Sequence, residues 1–238
     1  MIPKKIHLCW FSDDPYPVEI KVCLDSWKRI LPDYEVRMWR MADARAIGCR
    51  FIDEALDNRR WAFASDVVRY YALWKEGGVY MDSDIFLYRR FDEFLPENGE
   101  GFVTFHEKIY PEHFPFGLQA AFMISSPGND YCRAVLDYYM ERPYKNADGS
   151  VNELISPFVM SQVAERFGWH CEDVEQHCGS LTVYPTHFLA PRKRYVLDGE
   201  TIGQHRVYGS WRKRKFGRKL EKFFEHQWHV VRYALFRR

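Results

Sequence analysis

From Trp61 to Glu76 the apolar residues Ala62, Val67, Tyr70, Tyr71 and Trp74 recur at helical spacing, and no Pro or Gly interrupts them before Gly77-Gly78. The pattern predicts a helix ending at the double glycine. Val79-Tyr80-Met81 then reads as a short buried strand, and Ile85-Phe86-Leu87 continues the extended chain beyond Asp82-Ser83-Asp84. The start of the chain reads strand, helix, strand: Lys5 to Trp10, Val18 to Leu31 and Glu35 to Trp39, with Pro32-Asp33 as the turn. Further on, Gly101 to His106 and Gln119 to Ser125 read as strands, Asp130 to Met140 as a helix, and Asn152 to Phe167 as holding a helix that begins near Pro157. The Pro- and aromatic-rich segment Glu107 to Gly117 reads as a loop over a cleft. Helices alternating with short strands predict an α/β fold: a Rossmann-like, mostly parallel mixed sheet flanked by helices, the architecture common among nucleotide-binding folds.

In such a sheet ligands bind at the carboxyl edge of the strands. Asp82 and Asp84 are expected to emerge there, and side chains two apart on an extended segment share a face. Both carboxylates can therefore approach one divalent cation, with hard oxygen ligands suiting Mg²⁺ or Mn²⁺ and leaving coordination places for phosphates. Asp66 and Arg69, three apart on the preceding helix, can present a carboxylate and a guanidinium to the same cleft, or simply pair with each other. Gln119, just before the apolar run Ala120 to Ile124 and so at the start of a predicted inner strand, is a further candidate for the same cleft.

Taken together, Ser-Asp-x-x-Arg, a glycine pair and Tyr-x-Asp-x-Asp resemble the sugar-binding region of glycosyltransferase family 32. The opening IPKKIHLCWF is similar to that family's first strand, and HRVYGSW, His205 to Trp211, to its C-terminal motif. The likeness spans roughly residues 1 to 211, expected to form the catalytic domain, and implies the GT-A fold. By resemblance to related retaining transferases, the clostridial cytotoxin glucosyltransferases and the yeast Golgi initiating mannosyltransferase, Trp10 stacks on the nucleotide base and Asp66 and Arg69 contact the donor sugar. Asp82 would touch ribose and metal, Asp84 would be the principal metal ligand, and Ser210 and Trp211 would contact phosphate. Where many members carry two adjacent histidines this chain has His205-Arg206. That leaves open whether His205 completes the metal shell or Arg206 faces phosphate. The family also implies retention of anomeric configuration, a UDP-hexose or UDP-N-acetylhexosamine donor with GDP-mannose as the alternative, and a surface-polysaccharide or lipid-linked glycan acceptor. A non-catalytic nucleotide- or sugar-binding module and a metal-dependent phosphoesterase are the rival readings.

Composition refines this picture at one place. Trp211 to Arg238 holds ten Lys or Arg against two Glu, while the rest of the chain holds 24 basic and 31 acidic residues, so a net charge of +1 hides two poles. Phe216, Leu220, Phe223, Phe224, Val231 and Leu235 form one helical stripe, so residues 212–238 read as a basic amphipathic helix at an anionic membrane surface. No nucleic-acid-binding motif accompanies the charge. There is no 18-residue apolar run, the opening MIPKKIHLCW lacks the apolar stretch and small-residue cleavage site expected of a signal peptide, and the six cysteines show no paired framework. The expected location is the cytoplasm, peripheral on the inner leaflet of the cell membrane.

Overall fold

The computed structural model describes residues 1–107, 117–190 and 199–206. In chain order the elements are β1 (Lys5–Cys9), α1 (Val18–Ile30), β2 (Glu35–Trp39), α2 (Met41–Arg45), α3 (Arg50–Asp57), α4 (Trp61–Glu76), β3 (Gly78–Met81) and β4 (Ile85–Leu87). They continue with β5 (Phe102–Phe105), β6 (Phe122–Ser125), α5 (Asp130–Met140), α6 (Ser156–Glu165), β7 (Gln176–Cys178), β8 (Leu181–Tyr184), β9 (Leu189–Ala190) and β10 (Gly203–His205). A seven-stranded sheet has the order β2-β1-β3-β6-β5-β8-β7, and a small second sheet has the order β4-β10-β9. In the large sheet β6 and β7 run against the other strands, which makes it mixed. The strand expected from Gln119 begins only at Phe122, because the Gln119 side-chain Oε1 takes the Ala121 amide at 3.0 Å before the ladder starts.

Two apolar clusters sandwich the sheet. One gathers α3 to α6 around Phe51, Val67, Val68, Tyr70, Tyr139 and Met160. The other gathers α1 and the small sheet around Trp27, Ile85, Leu87, Phe91, Phe105 and Phe122. α1 also covers the outer edge of β4: the Trp27 indole donates to the Ile85 carbonyl at 2.7 Å, and the Leu87 amide donates to Ser26 Oγ at 3.0 Å. An open strand edge invites pairing with other chains, and here side chains of a helix occupy it.

The junction between α4 and β3 sets the site's height above the sheet. His7, fully buried in β1, reaches that junction. Its Nδ1 accepts from the Trp39 indole at 3.1 Å, so its Nε2 carries the proton and donates to the Gly77 carbonyl at 2.8 Å. Burial holds this imidazole below its usual pKa, which keeps it neutral. Gly77 (φ 66°) and Gly78 (φ 99°) both occupy the left-handed region, and a Cβ on Gly78 would stand 2.6 Å from the Lys5 carbonyl oxygen. The helix therefore turns straight into the strand with no loop between. Replacing Gly78 with Ala is expected to lower stability by about 1–3 kcal/mol, the scale of one strained backbone site, read as a lowered urea midpoint.

Candidate active site

Because β3 and β5 run parallel to β1 while β6 runs against them, one edge of the sheet collects Trp10 after β1, Asp82 after β3, His106 after β5 and Gln119 before β6. The Asp82 amide still bonds the Ala121 carbonyl at 2.9 Å, and the chain then turns, with the Ile85 amide donating to the Asp82 carbonyl at 3.0 Å. That turn presents Asp84. β10 pairs antiparallel with β4, bringing His205 Nε2 to 3.3 Å from Asp84 Oδ1. One ligand atom each from Asp82, Asp84 and His205 lies within 4.8 Å of the others. Two carboxylates and an imidazole at this spacing form a donor set that fits Mg²⁺ or Mn²⁺. Burial works against charge on the His205 ring, but the adjacent Asp84 carboxylate outweighs it and raises the imidazole to about 9.

Beside this cluster lies a buried ion network. Arg69 is 5% exposed. Its Nη2 stands 2.9 Å from Asp66 Oδ1 and 3.5 Å from Asp82 Oδ1, its Nη1 donates to the Ala120 carbonyl at 2.7 Å, and its guanidinium lies 4.7 Å from the Tyr80 ring centroid. Tyr80 donates its hydroxyl to Asp82 Oδ1 at 2.7 Å. Asp66 takes a second donor from across the helical layer, the Ser156 amide at 3.3 Å, which is the first residue of α6. The Ser156 hydroxyl in turn meets the Tyr70 hydroxyl. Burial pushes the Asp66 carboxyl up to about 7, against the opposing pull of Arg69.

Asp66, Arg69, Asp82, Asp84 and His205 therefore meet in one network. Gln119 is 2% exposed at its border, its Oε1 engaged by Ala121 and its Nε2 buried without a hydrogen-bond partner among the described residues. Trp10 is half-buried at the same edge, packed edge-on against Tyr16 with ring centroids 4.6 Å apart and bonded through its indole to the Asp14 carbonyl at 3.1 Å. Arg206 donates its amide to the Asp84 carbonyl at 3.0 Å, but its guanidinium lies over the Phe86 ring, 4.2 Å from the centroid. Ser210, Trp211 and the segment 212–238 lie outside the described residues. Sequence reasoning missed Tyr80 and Ser156 as partners of the site. Tyr80 stood in plain view two places before Asp82, whereas Ser156 is brought to Asp66 only by tertiary packing across ninety positions.

Comparison with known proteins agrees with this geometry. Residues 17–99, less than half of the chain, match the family described as "Glycosyltransferase sugar-binding region containing DXD motif". That region makes the chain a glycosyltransferase. The matched stretch itself is of the DXD-containing, family 32 type. No curated protein matches the chain in sequence. Among solved structures it is similar to the PaToxG glycosyltransferase, with 18% identity, a TM-score of 0.54 and 69% of each chain covered. This likeness shows the GT-A glycosyltransferase fold. The galactosyltransferase LgtC, solved with donor and acceptor sugar analogues, aligns over 93% of this chain and 94% of its own, with 12% identity and a TM-score of 0.49.

The raised pKa of Asp66 carries a sign. A carboxyl that holds its proton more tightly folded than unfolded favours the folded state below its unfolded pKa near 3.8, and that advantage is lost as pH rises through about 7. Urea unfolding at pH 5 and pH 8 is expected to show Asp66→Asn gaining stability relative to wild type on going to pH 8.

Proposed function

We propose that this chain moves a hexose or N-acetylhexosamine from a UDP-linked donor to a glycan acceptor, with retention of anomeric configuration and with Mn²⁺ or Mg²⁺ held by Asp82, Asp84 and His205. One observation carries the reading: the Asp82, Asp84 and His205 cluster sits beside a buried Asp66–Arg69 pair at the carboxyl edge of a GT-A sheet. A divalent cation bound there supplies Lewis-acid neutralisation of the charge that collects on the departing diphosphate.

The chain's own residues account for the rest. Trp10 offers an aromatic face for the base at the end of β1. Asp66 accepts from sugar hydroxyls, and Arg69 donates to sugar oxygens while holding both Asp66 and Asp82 in place. Gln119 Nε2, buried and without a partner among the described residues, is a ready donor toward the sugar. In the transfer the bond from the anomeric carbon to the diphosphate oxygen breaks, a bond to the acceptor oxygen forms on the same face, and the acceptor's proton passes to the leaving phosphate. No protein nucleophile is required. Ser210 and Trp211 are assigned to the diphosphate. A phosphoesterase using two metals needs more ligands than the three clustered among the described residues.

The acceptor we assign is a surface-polysaccharide or lipid-linked glycan at the cytosolic leaflet. The +8 tail supports peripheral attachment there, and among the described residues no helix is long and apolar enough to cross a membrane. Flotation with anionic vesicles is expected to recover the full chain and to lose a form lacking residues 212–238.

The central test is nucleotide release from a panel of UDP- and GDP-sugars. Wild type is expected to release nucleotide from one donor with Mn²⁺ and to stop with chelator, and Asp84→Asn to fall by about 10²–10³-fold with its thermal unfolding unchanged. Full metal-independent activity in that variant would overturn the assignment.

A further inference from the structure

Asp66 is held by side chains and a backbone group that lie behind the cleft. Its two oxygens are tied in different ways: Oδ1 stands 2.9 Å from Arg69 Nη2 on the same helix, and Oδ2 accepts from the Ser156 amide at 3.3 Å. A carboxylate tied at one oxygen can still turn about its own bonds, whereas one tied at both has a fixed plane. The Ser156 tie is the longer of the two, so whatever holds Ser156 decides how firmly that plane is set.

The entry to α6 is pinned from two helices. Tyr70, one turn after Asp66 on α4, meets the Ser156 hydroxyl with its own, the one hydrogen-bond partner that hydroxyl has among the described residues. Tyr139 of α5 lies nearly parallel to Tyr70, with ring centroids 6.3 Å apart, and donates to the Leu154 carbonyl at 3.3 Å. Tyr70, Tyr139 and Ser156 are all buried. The helix that carries the acid therefore also carries the tyrosine that keeps the acid's second donor in reach. Tyr131 of α5 makes a separate tie to α6, donating to the Met160 carbonyl at 3.0 Å and bonding to neither Ser156 nor Asp66.

We propose that Tyr70 is a positioning residue for the donor sugar: through Ser156 it fixes the plane of the Asp66 carboxylate that accepts from the sugar hydroxyls. This rests on the transferase reading above, in which Asp66 meets the sugar and the cation meets the diphosphate. Tyr70 is fully buried, so it acts through Asp66 and not on the donor itself. A hydrogen bond rewards a well-aimed acceptor and weakens steeply with misalignment. Loss of the Tyr70 hydroxyl therefore costs the sugar's share of donor binding and spares the nucleotide's share.

The test is calorimetry on the full chain with Mn²⁺. The probes are UDP-glucose, UDP-galactose, UDP-N-acetylglucosamine and GDP-mannose, and the one from which wild type releases nucleotide is compared with its free nucleoside diphosphate. Tyr70→Phe is expected to bind that nucleotide sugar about tenfold more weakly and the free diphosphate as wild type does. Ser156→Ala, which removes the same bond from its other end, is expected to show the same loss, and the double variant no more than either alone. Tyr131→Phe shows what loosening α5 from α6 does without touching Ser156. If Tyr70→Phe does not fold, Ser156→Ala decides. An unchanged nucleotide-sugar affinity overturns the proposal. So does a loss shared by the free diphosphate, or one matched by Tyr131→Phe, either of which leaves Tyr70 with no part in aiming Asp66. Wild type keeps the two readings apart: metal-dependent release with a sugar affinity indifferent to Tyr70 removes only the positioning role, whereas no release and no UDP or GDP binding removes the transferase site and this inference with it.

Discussion

The site is organised around a cation that has been taken out of water. Arg69 has almost no exposed surface, and a guanidinium in that position is tolerated only when charges and acceptors surround it. Asp66 lies on its own helix, Asp82 at the end of the adjacent strand, the Ala120 carbonyl at the entry to the next strand, and the Tyr80 ring beneath it. One side chain thus fixes the spacing of α4, β3 and the approach to β6. The two carboxylates it gathers serve different ends: Asp82 faces the Asp84–His205 cluster, and Asp66 faces inward to α6.

The helix-to-strand turn supplies the precision this arrangement needs. A loop between α4 and β3 would let the helix slide along the sheet by part of a turn, and Arg69 would lose its register with Asp82. Two left-handed glycines packed against Lys5 and Pro127, with His7 bonded to the Gly77 carbonyl, remove that freedom. Catalytic groups must hold their geometry within about half an ångström, and rigid elements do this better than loops.

Much of this was legible beforehand. The helix Trp61–Glu76, the glycine stop and the strand before Asp82 follow from periodicity and punctuation, because all three are local properties of the chain. The small sheet was not legible: β9 and β10 are two and three residues long, too short for any period, and exist because β10 pairs with β4 on one side and β9 on the other, burying Leu189 and Ile202. α2 and α3 escaped for a related reason, since at five and eight residues they are too short to show a helical period. The approach of His205 to Asp84 depends on that unseen pairing, so sequence spacing alone left the histidine's place open while the antiparallel register brings it there. The Arg206 guanidinium, which the motif left free to face phosphate, instead lies over Phe86.

The bond between the Ser156 amide and Asp66 makes one carboxylate answer to two masters. α6 has no side-chain cap of its own, and Asp66, ninety positions earlier, takes the orphan donor at its start. A substitution at Asp66 that removes its acceptor oxygen therefore perturbs a helix terminus as well as a cleft. An inactive Asp66→Ala enzyme would conflate the two effects, and only a replacement that still accepts from Ser156 separates them. The same coupling restrains divergence: a descendant that altered this acid to change its specificity would first have to find α6 another anchor.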